Sequence, residues 1–154
     1  MSTIASRLAD LGIEIPAQAA APAGSYMPAV TTGNLVFTAG QLPFVDGALL
    51  LTGKVGAEVT AEEAHGCARQ CAINALAAIA AELGSLDRVT RVVKVVGFVS
   101  SDPSFTGQAG VLNGASQLLG DIFGDAGVHS RSAVGVAVLP LNSPVEVELI
   151  VEFA

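Results

Sequence analysis

With 154 residues the chain is long enough to enclose one core, yet its 51% hydrophobic against 14% charged residues leaves more apolar surface than a lone domain hides. A net charge of −7, with seven Lys and Arg that form no cluster, argues against nucleic-acid binding, which needs a basic footprint on the phosphates. No run approaches the ~20 uncharged apolar residues of a spanning helix, so the surplus points to a buried subunit interface rather than a membrane.

The N-terminus, MSTIASRLADLG, lacks the basic start and continuous apolar run of a secretory signal, and a cytoplasmic location is expected. Residues 2–12 read as a helix that Ser2 caps and Gly12 stops, with Ile4, Leu8 and Leu11 on one stripe. PAQAAAP, residues 16–22, reads as a connector to the body. NLVFTA, residues 34–39, reads as a short apolar strand. Residues 44–51 hold Asp46-Gly47, a strong hairpin signal with a strand on either side.

Thr60 and Glu63 form a capping box that opens a helix over 61–83, and Gly84 ends it. Ala64, Cys67, Cys71, Ala75 and Ala78 make one stripe of small residues that lets this helix lie close to a sheet. The two cysteines read as core residues, since a reducing compartment disfavours a disulfide. A metal site would need more ligands than the nearby His65 supplies. VVKVVGFVS, residues 92–100, reads as a buried strand and Asp102-Pro103 as a break. Residues 106–123 carry Val111, Leu112, Ala115, Leu118, Leu119 and Ile122 at helical spacing, with Gly124 after them. SAVGVAVL, residues 132–139, is a strand, 140–144 a proline-bounded turn, and 145–153 alternates strictly. There Val145, Val147, Leu149, Val151 and Phe153 take one face, and Glu146, Glu148 and Glu152 the other.

The order strands, helix, strand, helix, two strands predicts one α/β domain over 1–154, with an N-terminal helical extension over about 1–15. It is a two-layer α+β sandwich, a mixed sheet with two main helices on one face. Another subunit is expected to cover the other face.

Arg131 begins a strand with no other charge up to Leu139. Its fork suits a carboxylate held by two parallel hydrogen bonds, or it is an edge arginine paired with an acidic neighbour. Glu146 follows the turn on the polar face of the last strand, as a carboxylate that orients or deprotonates water or as a solvated surface group. If strands 131–139 and 145–153 pair as a hairpin, the two lie roughly 13–23 Å apart. A site using both then needs a strong twist or a neighbouring subunit. Cys67 or Cys71 with His65 or His129 is a conceivable nucleophilic pair, but the cysteines fall on an inward stripe and His129 on a loop. There is no GxSxG, no Walker loop and no zinc-ligand spacing. Gly107, Gly110 and Gly114 are scattered along a helical pattern and cradle no phosphate.

Three segments in order resemble the Rid family (RidA-like, also labelled endoribonuclease L-PSP). They are AGSYMPAV, NLVFTAGQLP and, most specifically, HSRSAVGVAVLPLNSPVEVELIVEF. The resemblance covers about residues 21–154; the N-terminal helix and the long 105–130 region suggest a longer subgroup. It implies a chorismate-mutase-like fold, a homotrimer with sites between subunits, and no metal or organic cofactor. It also implies hydrolysis of enamine or imine intermediates of the 2-aminoacrylate type to 2-keto acids and ammonia. By position, Arg131 matches the arginine that binds the substrate carboxylate and Glu146 the glutamate that positions water. Tyr26 matches a pocket tyrosine, Gly40 a backbone donor, Asn113 a pocket asparagine, and Ala133 a cysteine used through its carbonyl. Two departures alter the pocket: Ala39 replaces the serine of TSGQ, and Ser25-Tyr26-Met27-Pro28 replaces PYSQ. The alternative reading is a non-catalytic module that binds a small carboxylate such as a keto acid. A ribonuclease, the activity in the family label, is opposed by the charge.

Overall fold

The computed structural model describes residues 3–154. Helix α1 (Ile4–Asp10) is capped by Thr3, whose hydroxyl accepts from the Ser6 N–H at 3.1 Å. The expected cap, Ser2, lies outside the described residues. Leu11 is exposed instead of joining the stripe, and Gly12 turns the chain at φ 65°. Ile13 is buried, and the chain then runs without regular structure to Pro28.

Strands β1 (Ala29–Thr32) and β2 (Leu35–Thr38) form a hairpin around Gly33. β3 (Phe44–Val45) and β4 (Ala48–Leu49) form a small separate hairpin on Asp46-Gly47, both at positive φ as the sequence predicts. α2 (Ala61–Leu83) has the expected capping box, and Gly84 ends it at φ 83°. β5 (Val89–Ser100) is followed by α3 (Gln108–Phe123), β6 (Ser130–Val136) and β7 (Val145–Phe153).

The main sheet runs β1-β2-β7-β5-β6, with both long helices on one face, a mixed α+β sandwich. Val145, Val147, Leu149 and Val151 face the helices and are buried with Val95 and Val99 of β5. The small-residue stripe of α2 is buried as well. α2 and α3 meet backbone to backbone: a Cβ on Gly114 would lie 2.0 Å from the His65 carbonyl oxygen.

β6 and β7 do not pair with each other. The crossover through α3 lays β6 parallel to β5, while β7 runs antiparallel along the other side of β5. Ser101 N–H donates to Val136 O and Ser100 N–H to Pro144 O, so the end of β5 separates the two strands. Residues 140–142 pass over that end in a 3-10 turn, with Leu141 and Asn142 at left-handed φ of 58° and 59°.

The helix-free face of the sheet carries large apolar side chains in the open. Phe37, Val30 and Val134 are exposed.

Candidate functional site

Helix α3 presents two stripes. Val111, Leu112, Ala115, Leu118, Leu119 and Ile122 enter the core. Ala109, Asn113 and Ser116, spaced i, i+4 and i+7, form a second stripe toward β6. Arg131 meets that stripe. Its Nη1 donates to Asn113 Oδ1 at 2.9 Å and to Ser116 Oγ at 3.1 Å, and its Nη2 donates to the Ala109 carbonyl at 3.2 Å. No carboxylate among the described residues bonds to it. Three neutral acceptors therefore hold a half-buried guanidinium, leaving the Nε proton and one Nη2 proton for a ligand. The edge-arginine ion pair is not formed.

Glu146 occupies the opposite face. It pairs across β7 and β5 with Phe98, whereas Arg131 pairs with the inward-facing Val95. Two strands and three residues of offset put the two Cα atoms about 14 Å apart. Glu146 is half-buried in a cleft of about 410 Å³ lined by Ala20 to Ala23, Tyr26, Gly40, Gln41, Leu42 and Leu141. Burial, with the Glu148 charge as the lesser cause, pushes its carboxyl above the ordinary glutamate value. No donor among the described residues reaches its oxygens. Gly40 must be small, since a Cβ there would lie 1.8 Å from Glu146 Oε1. Tyr26 lines the same cleft, and its hydroxyl accepts from the Ala23 N–H at 3.1 Å, closing the loop against the cleft wall.

The residues picked from the sequence thus sort into two groups on opposite sheet faces. Tyr26, Gly40 and Glu146 share the cleft, while Arg131, Asn113 and Ala133 lie along the β6 edge. Ala133 is half-buried opposite Gly97. Sequence reasoning missed Gln41, which is only 6% exposed, lines the cleft and makes no side-chain hydrogen bond among the described residues. It also missed Ser116, and it left His129 as a loop residue. His129 Nε2 lies 2.9 Å from Ser116 Oγ.

Cys67 and Cys71 are buried free thiols. Burial pushes Cys67 up to about 11 and Cys71 well above the ordinary thiol value, so neither is a nucleophile. Among the described residues no three His, Cys, Asp or Glu are placed to hold a metal ion, and no helix is long and apolar enough to cross a membrane.

A mixed sheet backed by two helices, with a glutamate cleft on one face and an arginine edge on the other, marks a distinct class of small α+β protein. The profile of the "YjgF/chorismate mutase-like, putative endoribonuclease" family matches residues 5–153, and the chain belongs to that family, as the three motifs indicate. Protein TCP17 of Trypanosoma cruzi is 48% identical over 150 residues, covering 97% of this chain and 93% of that protein. The crystal structure of "a putative endoribonuclease" from Shewanella oneidensis MR-1 is 37% identical at a TM-score of 0.95, covering 99% of this chain and all of that one. Escherichia coli TdcF with bound serine is 25% identical at a TM-score of 0.66, covering 90% of this chain and 96% of its own.

Proposed function

We propose that the chain hydrolyses 2-imino acids, including the imine form of 2-aminoacrylate, to 2-keto acids and ammonia, in clefts shared between the subunits of a cytoplasmic homotrimer. The observation that carries this reading is the pair of unfinished half-sites. Arg131 is an anchored cation with two free N–H groups and no anion, and Glu146 is a desolvated carboxylate with no donor, on the other face of the same sheet. The exposed Phe37, Val30 and Val134 on the face that carries Glu146 suit a second copy laid across it, whose β6 edge brings its own Arg131 to the cleft. The serine bound to TdcF supports a ligand of amino-acid size.

In this reading Arg131 takes the substrate carboxylate through its Nε and Nη2 protons, and the amide of Asn113 and the carbonyl of Ala133 border the ligand. Glu146 accepts a proton from a water as its oxygen attacks the imine carbon, and the C=N electrons move to nitrogen. The resulting carbinolamine re-forms a C=O bond as the C–N bond breaks. Glu146 gives the water proton to that nitrogen as the carbinolamine forms, then takes up the hydroxyl proton as C=O re-forms and passes it to the departing amine, which leaves as ammonia. A raised pKa suits a group that must both accept and return a proton near neutral pH. Gly40 and Tyr26 shape the wall beside the reacting carbon.

The test is to generate 2-aminoacrylate in situ and follow its decay. Wild type is expected to accelerate decay and Arg131→Ala to return it to the uncatalysed rate. Ala39, in place of the family serine, favours a second reading as a binding module. That reading stands if 2-oxobutanoate binds in an Arg131-dependent way while decay stays uncatalysed. RNA cleavage that survives repurification and is lost in Arg131→Ala would instead support the activity in the family description.

A further inference from the structure

We infer that Ser116 and His129 are positioning residues that aim Arg131, through a hydrogen-bonded chain running from the Gly127 carbonyl, just past α3, to the guanidinium. The inference rests on Arg131 being the carboxylate anchor proposed above. Four contacts build the chain. Gly127 packs against the end of α3 so closely that a Cβ there would lie 2.4 Å from the Leu119 carbonyl oxygen, which holds the Gly127 backbone in place. His129 Nδ1 lies 2.6 Å from the Gly127 carbonyl. A carbonyl only accepts, so the proton of the neutral ring sits on Nδ1 and Nε2 is left as an acceptor. Nε2 lies 2.9 Å from Ser116 Oγ, so the serine hydroxyl donates to it. The Ser116 oxygen then turns its lone pairs to Arg131, whose Nη1 donates to it at 3.1 Å.

The consequence is directional. Nη1 has two protons, and Asn113 and Ser116 take one each. Because a guanidinium is planar, fixing both Nη1 protons fixes the plane and hence the direction of the remaining Nε and Nη2 protons. Asn113 is exposed, whereas Ser116 and His129 are half-buried, with Ser116 on α3 and His129 tied to the Gly127 carbonyl. Without His129 the Ser116 hydroxyl is free to rotate and donate to a carbonyl of its own helix, and its oxygen no longer presents a fixed acceptor. The pair touches neither the ligand nor the reacting atoms. It acts only by aiming the group that does.

The experiment measures KM and kcat for 2-iminobutanoate, generated in situ, and the Kd for 2-oxobutanoate, with thermal melts of every variant. Ser116→Ala and His129→Leu are expected to raise KM and Kd about tenfold, the scale of one hydrogen bond to a charged group, with kcat within about threefold of wild type. Ser116→Thr and His129→Gln restore the hydroxyl and the acceptor, and are expected to recover to within about threefold. A purely structural role would give no such rescue. Should Ser116→Ala not fold, the comparison of His129→Leu with His129→Gln decides alone. Long-range 15N correlation of the His129 ring is expected to show the neutral ring protonated on Nδ1, and a proton on Nε2 would overturn the chain. Wild-type KM and Kd in Ser116→Ala and His129→Leu, beside lost binding in Arg131→Ala, would overturn the positioning role and leave the proposed function intact. Unchanged binding in Arg131→Ala would remove both.

Discussion

Replacing Gly40 by alanine separates the needs of the site from those of the fold. The added methyl would meet Glu146 Oε1 at 1.8 Å, Cδ at 2.8 Å and Cγ at 3.1 Å. Ordinary contact begins at 3.4 Å, so the carboxylate oxygen must retreat by about 1.6 Å. Gly40 does not occupy the left-handed region, so its backbone accepts alanine without strain. The group displaced is the free end of a flexible side chain, so stability is expected to fall by less than about 1 kcal/mol. Catalysis is less tolerant. Misplacing a reacting group by about 1 Å costs on the order of a hundredfold, and kcat/KM for 2-imino acid hydrolysis is expected to drop by about that factor or more. Ammonia release under steady state, with urea unfolding in parallel, reads both quantities. Near-wild-type kcat/KM in Gly40→Ala refutes the placement of Glu146 at the reacting carbon, and a protein that no longer folds refutes the claim that the carboxylate yields.

Three further expectations follow from the packing and the charges. Gly114→Ala puts its methyl 2.0 Å from the His65 carbonyl oxygen, a backbone atom that cannot swing aside. Despite a gain of about 1 kcal/mol in helix propensity, stability should fall by about 2–4 kcal/mol, seen as a lower urea midpoint at unchanged m. Asn74, buried in α2, donates to Leu42 O at 2.9 Å and Phe44 O at 3.0 Å and so ties the cleft floor to the helix. Asn74→Ala should cost about 2 kcal/mol by thermal melt, because both carbonyls lose a donor. Glu146→Gln should stabilise while abolishing turnover. The folded state disfavours the charged carboxyl, so wild-type stability is fully present below the ordinary value of 4.5 and declines as pH rises through the raised folded value. The variant escapes that decline, so the urea midpoints of the two proteins should converge at low pH and diverge at neutral pH, with the variant higher.

What could be read from the sequence was what is decided locally. The ends of α2 follow from Thr60, Glu63 and Gly84, each acting within one turn of its own position, and the Asp46-Gly47 hairpin follows from two residues at positive φ. The alternation in β7 shows which side chains face the helices because period 2 needs no knowledge of neighbours. Strand pairing is not local. Nothing in residues 131–153 states that β5, thirty residues earlier, lies between the last two strands. β1 was missed because only Ala29 of its four residues is buried, so it carries no apolar pattern.

The site divides the same way. Arg131 and Glu146 stood out by type and by family motif, but their opposite faces depend on the order of the strands. Ser116 gives no signal on its own. A serine on the polar stripe of a helix looks solvated until the crossover sets β6 beside it. Gln41 sits within a family motif, yet only its bridge to Val147 buries it. The open apolar side chains of the helix-free face, Phe37, Val30 and Val134, agree with the composition, since 14% charged residues cannot coat both layers.

Subunit complementation tests the shared site most directly. Arg131→Ala and Glu146→Gln, each inactive alone, are co-expressed in equal amounts so that trimers form at random. Three quarters of cyclic trimers are then mixed, and each mixed trimer contains one junction where an intact Glu146 meets an intact Arg131, one site in three. A site built across subunits returns about a quarter of wild-type activity. A site contained within one chain returns none, and that result would contradict the assembly from which the chemistry follows.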